Sequence, residues 1–350
     1  MAYVPILKGR RGEFTALGQM EPAVQAHVHP IMEVVPDERL RDVMETFRGN
    51  AWNQLPPGLD IAVDCGSLWH HGRVGGVWTG RPMNWISEAF GAWLLALIPV
   101  FRSEDPRGAL EEVRHVQRAH GCGAVLRVDA FDVAALGLPA VSNRIRGALR
   151  TVRVAPEQVD LVLDAGHVPG NAAVAEALPP VLDAVRWARR AAWRNVVVAA
   201  GAFPRSMRQL ARGVPNRVHR WEAELWRGVA RATDGRPPHF GDYGVTHAAL
   251  PRRGRGSIPN IRYTVGQDWQ VYVAPRTLPG NDDFFVIARQ LLRSEYWPAL
   301  GERTSWGDAE LARCARRERA RAGTGWEWRA WATSHHLSVV TEALRTTGLP

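Results

Sequence analysis

Short apolar runs rich in β-branched residues end in, or just before, an ionisable side chain: Lys8, Glu33, Asp64, Arg102, Asp129, Asp164 and Asp242. Charges are costly to bury unless paired or wet, so their recurrence at this position implies a shared polar cleft. Two chemistries suit such a set. Glu33, Asp64 and Asp129, with Asp164, offer hard oxygen ligands for Mg²⁺ or another divalent cation, which would support phosphoester hydrolysis. Alternatively, Lys8 serves as a charged donor or nucleophile beside carboxylates that exchange protons. Lys8 is the only lysine in the chain. A guanidinium would supply the same charge but could not readily be deprotonated. The structural alternatives are a salt bridge for Lys8 and helix capping for each aspartate.

Period-two alternation places Arg127 and Asp129 on one strand face, and Asp160 and Asp164 on another. Inside a barrel Arg127 needs a carboxylate, so a pair with Asp129 or Asp164 is expected, as scaffold or as anion clamp. The long connection over residues 65–83, with His70, His71 and Arg73, reads as a lid. Adjacent histidines point apart on regular structure and are a weak metal signal. In the segment over 200–212, Ser206 between Arg205 and Arg208 fits either a phosphate site at a helix N-terminus or a plain N-cap. Trp326, Trp328 and Trp331 around Arg329 offer stacking platforms for bases or packing surface for a helix. Neither a G-x-S-x-G elbow nor a dinucleotide-binding G-x-G-x-x-G is present.

These residues must be positioned by strands. Apolar runs at Tyr3–Leu7, Ile31–Val35, Leu59–Asp64, Leu97–Phe101, Ala124–Asp129, Val159–Asp164, Asn195–Ala199 and His239–Tyr243 alternate with amphipathic segments. Strands alternating with helices imply βαβ units and a parallel sheet. Eight of them predict a closed (β/α)8 TIM-like barrel, with a doubly wound open sheet as the alternative. The site then lies at the strand C-terminal ends. Arg252–Gly256 reads as a basic loop and Asn260–Arg276 as a β-hairpin inserted after the eighth strand. Asp282–Tyr296 reads as the eighth barrel helix. The expected organisation is a barrel over 1–299, with the insertion at about 257–276, and a helical extension over 300–350 packed on it.

The formal charge is +9, carried by arginine. That suggests an anionic substrate, nucleic acid or an acidic protein partner, although arginine-rich composition gives the same number. Three scattered cysteines fit free thiols in a reducing compartment. The longest apolar stretch, Ala89–Phe101, is too short to span a bilayer. A cytoplasmic protein without membrane attachment is expected.

YVPILKGRRGE (Tyr3–Glu13), FGDY (Phe240–Tyr243), IRYT with QDWQVY (Ile261–Tyr272) and SHHLSVV (Ser334–Val340) resemble the phage-type beta-protein family. The resemblance runs from end to end. It implies a barrel-like fold and occurrence in phages and bacteria, often beside candidate defence genes, without an established reaction. The matching polar residues are Lys8, Arg11, Glu13, Asp242, Tyr243, Arg262, Tyr263 and His336.

Strands one and eight are neighbours in a closed barrel, so Lys8 and Asp242 should flank one mouth, overhung by the hairpin and tail. Lys8, Asp164, Asp242 and His336 are the candidate catalytic groups, with His336 as general acid–base. Arg102, Arg127, Arg262 and Tyr243 are the candidate substrate-binding groups, and Glu33, Asp64 and Asp129 the candidate metal ligands. The chain thus reads as an enzyme on a phosphate-bearing or nucleotide-like substrate. The competing readings are a nucleic-acid or protein binding module and a metal-free enzyme using Lys8.

Overall fold

Val4, Ile6, Ile31, Ala62, Val100, Val125, Val162, Val197 and Ala199 form one buried cluster. Their side chains come from seven different strands at alternate positions, which is how a closed parallel sheet fills its interior. The structure is a computed structural model and describes residues 2–37, 39–56, 58–70, 80–93, 95–233, 235–250, 258–276 and 279–350.

The chain runs β1 (Tyr3–Lys8), α1 (Arg11–Gly18), α2 (Pro22–Gln25), β2 (Ile31–Glu33), α3 (Leu40–Gln54), β3 (Ile61–Asp64), α4 (Gly66–His70) and α5 (Pro82–Ala92). It continues through β4 (Leu97–Phe101), α6 (Arg107–His120), β5 (Ala124–Asp129), α7 (Ala130–Leu136), α8 (Leu138–Val152), β6 (Val159–His167) and α9 (Asn171–Ala188). Next come β7 (Asn195–Gly201), β8 (Pro215–His219), α10 (Trp221–Arg231), β9 (His239–Asp242), β10 (Asn260–Val265) and β11 (Asp268–Val273). The last elements are α11 (Asp283–Leu292), α12 (Trp306–Ala315) and α13 (Gly325–Thr347).

Strands β1 to β7 and β9 close into a barrel in that order, with β9 hydrogen-bonded between β7 and β1. The open-sheet alternative is thereby excluded. Gly241 keeps the closure tight: a Cβ there would lie 2.9 Å from both the Ala199 Cβ and the Val4 carbonyl oxygen.

A second, three-stranded sheet in the order β10–β11–β8 stands beside the barrel. The hairpin β10–β11 is the one expected, with Val265 opposite Asp268. Its third strand, β8, is a surprise: PNRVH has one strongly apolar residue, and pairing to β11 holds it there.

The eighth barrel helix is also reassigned. Phe284, Phe285 and Ile287 of α11 pack with Tyr263, Tyr272, Leu311, Trp328 and Trp331, under the second sheet. Instead Leu337, Val340 and Leu344 of α13 enter the main barrel cluster, and α13 packs along α1. Chain order favoured α11; burial decides for α13. Among the described residues, no helix is long and apolar enough to cross a membrane.

Candidate active site

Moving two residues along each strand from the interior cluster reaches the next layer toward the C-terminal face. Ile6 leads to Lys8, Ile31 to Glu33, Ala62 to Asp64, Val100 to Arg102, Val125 to Arg127, Val162 to Asp164 and Gly241 to Tyr243. The barrel is therefore apolar in its middle and ionic at its mouth.

Arg127 is the hub. Its Nε and Nη2 donate to Asp164 Oδ2 at 2.9 and 2.7 Å, and Nη1 donates to Glu33 Oε1 at 2.7 Å and Asp64 Oδ2 at 2.9 Å. Nη2 also donates to the Tyr243 oxygen at 2.5 Å, while the Tyr243 hydroxyl donates to Asp164 Oδ2 at 2.6 Å. Arg102 grips Asp64 with both terminal nitrogens, at 2.9 and 2.7 Å. Lys8 Nζ donates to Glu33 Oε2 and, at 2.8 Å, to the Ala248 carbonyl. Gly66 and Gly166 add backbone N–H donors to Asp64 and Asp164.

Three cations thus meet three carboxylates, and the layer is neutral. Burial would raise the carboxyls, but Arg102 and Arg127 hold Asp64 well below the usual range. Arg127 and the Tyr243 hydroxyl do the same for Asp164 against its burial. Burial, reinforced by Asp164, keeps Tyr243 protonated and able to donate.

This geometry joins Lys8, Glu33, Asp64, Arg102, Arg127, Asp164 and Tyr243 in one network, and it corrects the expected division of labour. The oxygens of Glu33 and Asp64 are already taken by Lys8, Arg102 and Arg127, so the pair does not fit a hard cation. Asp129, the third expected ligand, is exposed and caps α7 by accepting the Phe131 N–H at 2.8 Å. Among the described residues no three His, Cys, Asp or Glu side chains are grouped to hold a metal. Of the two partners considered for Arg127, Asp164 is the one that pairs.

Asp242 and His336 do not share the mouth with Lys8. Gly241 and Tyr243 take the inward positions of β9, so Asp242 faces outward, toward α13. There it accepts from Tyr3 Oη at 2.6 Å and from the Gly244 N–H at 2.8 Å, and lies 2.9 Å from His336 Nε2. His336 Nδ1 is 2.7 Å from Thr264 Oγ1 on the hairpin. Beyond it, His335 bridges Asp308 and the Thr264 carbonyl, each at 2.9 Å. Burial holds His336 below the ordinary imidazole range. Asp242 stays ionised despite burial, through His336, Arg220 and Tyr3. This chain of buried groups fastens the second sheet and α13 to the barrel wall, and a solvent-facing acid–base role for His336 does not fit it.

The accessible chemistry lies above the ionic layer. A cleft of about 610 Å³ is bounded by the loops after β1, β7 and β9 and by the second sheet. Lys8 is at its floor, and Arg10, Arg205, Arg208, Arg262 and Arg329 line it with a single carboxylic residue, Glu13. Arg262 Nη1 donates to the Val245 carbonyl at 2.7 Å and Nε to Asn260 Oδ1 at 3.1 Å, with its guanidinium over Phe203. Neither partner is charged. Burial, then the Arg329 charge, push Arg262 down to about 9. Glu13 is fully buried, neither of its oxygens has a hydrogen-bond partner, and Arg329 Nε is 3.8 Å away. Burial raises its carboxyl. His247, also lining the cleft, is pushed down to about 4 by burial and by His167, Arg205 and Lys8. Its Nδ1 accepts the Ala249 N–H at 2.9 Å, so a neutral ring carries its proton on Nε2 as a donor.

Arg262, one of the expected binding residues, lines this cleft. Arg10 and Glu13 had only adjacency to Lys8 and the resemblance at Glu13 to point to them, and Arg329 was read with the tryptophans around it as a stacking or packing surface. Ser206 is an N-cap: its Oγ accepts the Arg208 N–H at 3.2 Å on a three-residue turn, too short to present a helix terminus. Trp328 and Trp331 are buried packing residues, and only Trp326 stays partly exposed. His71 and Arg73 of the expected lid, and Arg252–Gly256, lie outside the described residues.

A closed eight-stranded parallel barrel whose C-terminal mouth is ionic defines the class: this is a TIM barrel. The chain belongs to the beta protein family, whose model, described as "Beta protein", matches residues 3–342. Among solved structures it is similar to triosephosphate isomerase from Bartonella henselae, at 11% identity and a TM-score of 0.36, over 71% of this chain and 94% of that one. Among curated proteins, none matches the sequence significantly.

Proposed function

We propose that the protein is an enzyme acting on a phosphate-bearing, nucleotide-like substrate bound in the cleft over Lys8, and that its reaction is phosphoester hydrolysis. The observation that carries this reading is Arg262, a partly buried guanidinium whose hydrogen-bond partners are uncharged, in a cleft with two further arginines and the Glu13 carboxyl, which has no hydrogen-bond partner and lies 3.8 Å from Arg329. A buried cation without a counter-ion is costly, and an incoming phosphate relieves that cost with charge-assisted hydrogen bonds. Arg10 and Arg329 complete the clamp. Water would attack the phosphorus as the bond to the leaving oxygen breaks; Glu13, whose carboxyl burial raises, would pass its proton to that oxygen and recover one from the attacking water, and His247 Nε2–H would donate to a phosphoryl oxygen. The ionic layer beneath acts as a rigid neutral floor. That neutrality also favours a second reading, a binding module for nucleic acid or a protein, because the strand-end carboxylates are spent on pairing. The family resemblance alone supports placing the activity in defence against phage.

Calorimetric titration with pyrophosphate tests the clamp. Arg262→Gln should weaken binding at least about tenfold, the scale of one charge-assisted hydrogen bond, without a large change in melting temperature. Unchanged affinity would remove the cleft from the proposal. Hydrolysis of a dinucleoside phosphodiester, whose alkoxide leaving group needs a proton, separates the two readings: Glu13→Gln should lose turnover while still binding pyrophosphate. A wild-type protein that binds pyrophosphate but turns over no phosphodiester would favour the binding module.

A further inference from the structure

The cleft over Lys8 does not end at its own walls. Arg10 and Arg329 also line a cleft of about 840 Å³ between the β1 and β2 loops, α3 and the start of α13. On the other side, Pro204 and Arg205 also line a cleft of about 450 Å³ bounded by the β6 and β7 loops and β8. In the closed barrel, β2, β1, β9, β7 and β6 are successive neighbours. The three clefts therefore follow one continuous half of the rim, meeting at arginines.

Nine of the side chains lining this track are Arg or Lys, against three Asp or Glu; Lys8 and Arg217 are paired with Glu33 and Asp268 behind the lining, which leaves seven against three. The surplus is local. Glu104, Asp105 and Asp129 stand at the ends of β4 and β5, on the other half of the rim. Each outer cleft also carries aromatic surface. Trp326 sits under the Arg11 guanidinium, 3.9 Å from its ring centre, and Trp221 meets His219 edge-on at 4.4 Å. Both indoles are partly exposed.

We infer that this track binds single-stranded nucleic acid, its backbone following the arginines from one cleft to the next and its bases turned to Trp326 and Trp221. A basic groove interleaved with aromatic rings is the recognition chemistry of single strands, whose unpaired bases offer π-faces that a duplex hides. This inference rests on the phosphate reading of the central cleft and extends it from one phosphate to several.

The test is fluorescence anisotropy of the full chain with labelled oligothymidylates of roughly 4, 8 and 12 nucleotides, within the usual span of such sites, beside calorimetry with pyrophosphate. Affinity should rise at least about tenfold from the shortest to the longest strand. Removing a rim cation by Arg205→Gln or Arg11→Gln should lower the slope of log affinity against log salt by about 0.7 each. Trp326→Ala should weaken the longest strand by more than it weakens pyrophosphate. Pyrophosphate binding without any dependence on strand length would overturn the track and leave the central cleft standing. Binding of neither ligand would overturn both. Length-dependent binding without pyrophosphate binding would uphold the track against the central clamp. Equal affinity for polyphosphate of matched charge, or for duplex, would overturn the assignment to single-stranded nucleic acid.

Discussion

Replacing Arg127 by Met should unbalance the barrel mouth. The side chain contributes five hydrogen bonds to Asp164, Glu33, Asp64 and Tyr243, and it is 7% exposed. Without it, Lys8 and Arg102 face three carboxylates, so one negative charge stays buried and uncompensated. Breaking a buried ion pair from one side costs about 3–5 kcal/mol. Unfolding entropy of about 2.1 cal/mol/K per residue over 350 residues makes this a fall of about 4–7 °C in melting temperature. The sign of its pH dependence follows from Asp64 and Asp164, whose folded pKa values lie below their unfolded ones. Their contribution is present above the unfolded carboxylate value, about 3.9, and is lost as pH falls through the folded values. The gap between wild type and Arg127→Met should be full at pH 7 and shrink below about pH 4. Arg127→Lys should fall between the two, keeping the charge without the planar fork. Calorimetric melts across that range are the assay. A gap under about 1 °C at neutral pH, or one unchanged at acid pH, would refute the hub. By the same reasoning Asp164→Ala or Glu33→Ala is a stability change before it is a catalytic one.

Glu13 titrates in the opposite sense. Burial raises its folded pKa, so the stability it allows is complete below the unfolded value and is lost as pH rises through the folded one. Glu13→Gln should therefore gain on wild type in melts taken from about pH 4 to about pH 8, and a parallel pair of curves would contradict its burial. At the outer wall, His336→Ala removes a neutral hydrogen-bond partner and should cost about 1–3 kcal/mol. Asp242→Ala removes the acceptor shared by Tyr3, Gly244 and His336 and should cost more, about 3–5 kcal/mol. In both, hydrogen exchange should accelerate in α13 and β10 while β3 to β5 stay protected. Uniform acceleration would argue against a latch.

The barrel was legible because β-branched runs recur with amphipathic segments between them, and because a charge at the end of seven of the eight runs marks where apolar interior gives way to solvent. The same alternation found Arg127 and Asp164. It was silent on β9. HFGDY allows Phe240 inside or outside, and only Gly241, pressed against Ala199 and Val4, decides for outside. One residue of phase moved Asp242 and His336 from the expected mouth to the outer wall. Asp129 misled for a related reason: it shares the Arg127 face, but β5 ends there and its carboxylate caps α7 instead. The rim was least legible of all. Arg10 and Arg205 sit on loops, where no period applies, Glu13 and Arg329 sit on α1 and α13, and only closure of the barrel brings the four together. The ionic layer is neutral and already paired, so it has no charge left to attract an anion. Any attraction for phosphate in the proposed site must therefore come from the arginines above it, Arg10 and Arg205 on loops, Arg262 on β10 and Arg329 on α13.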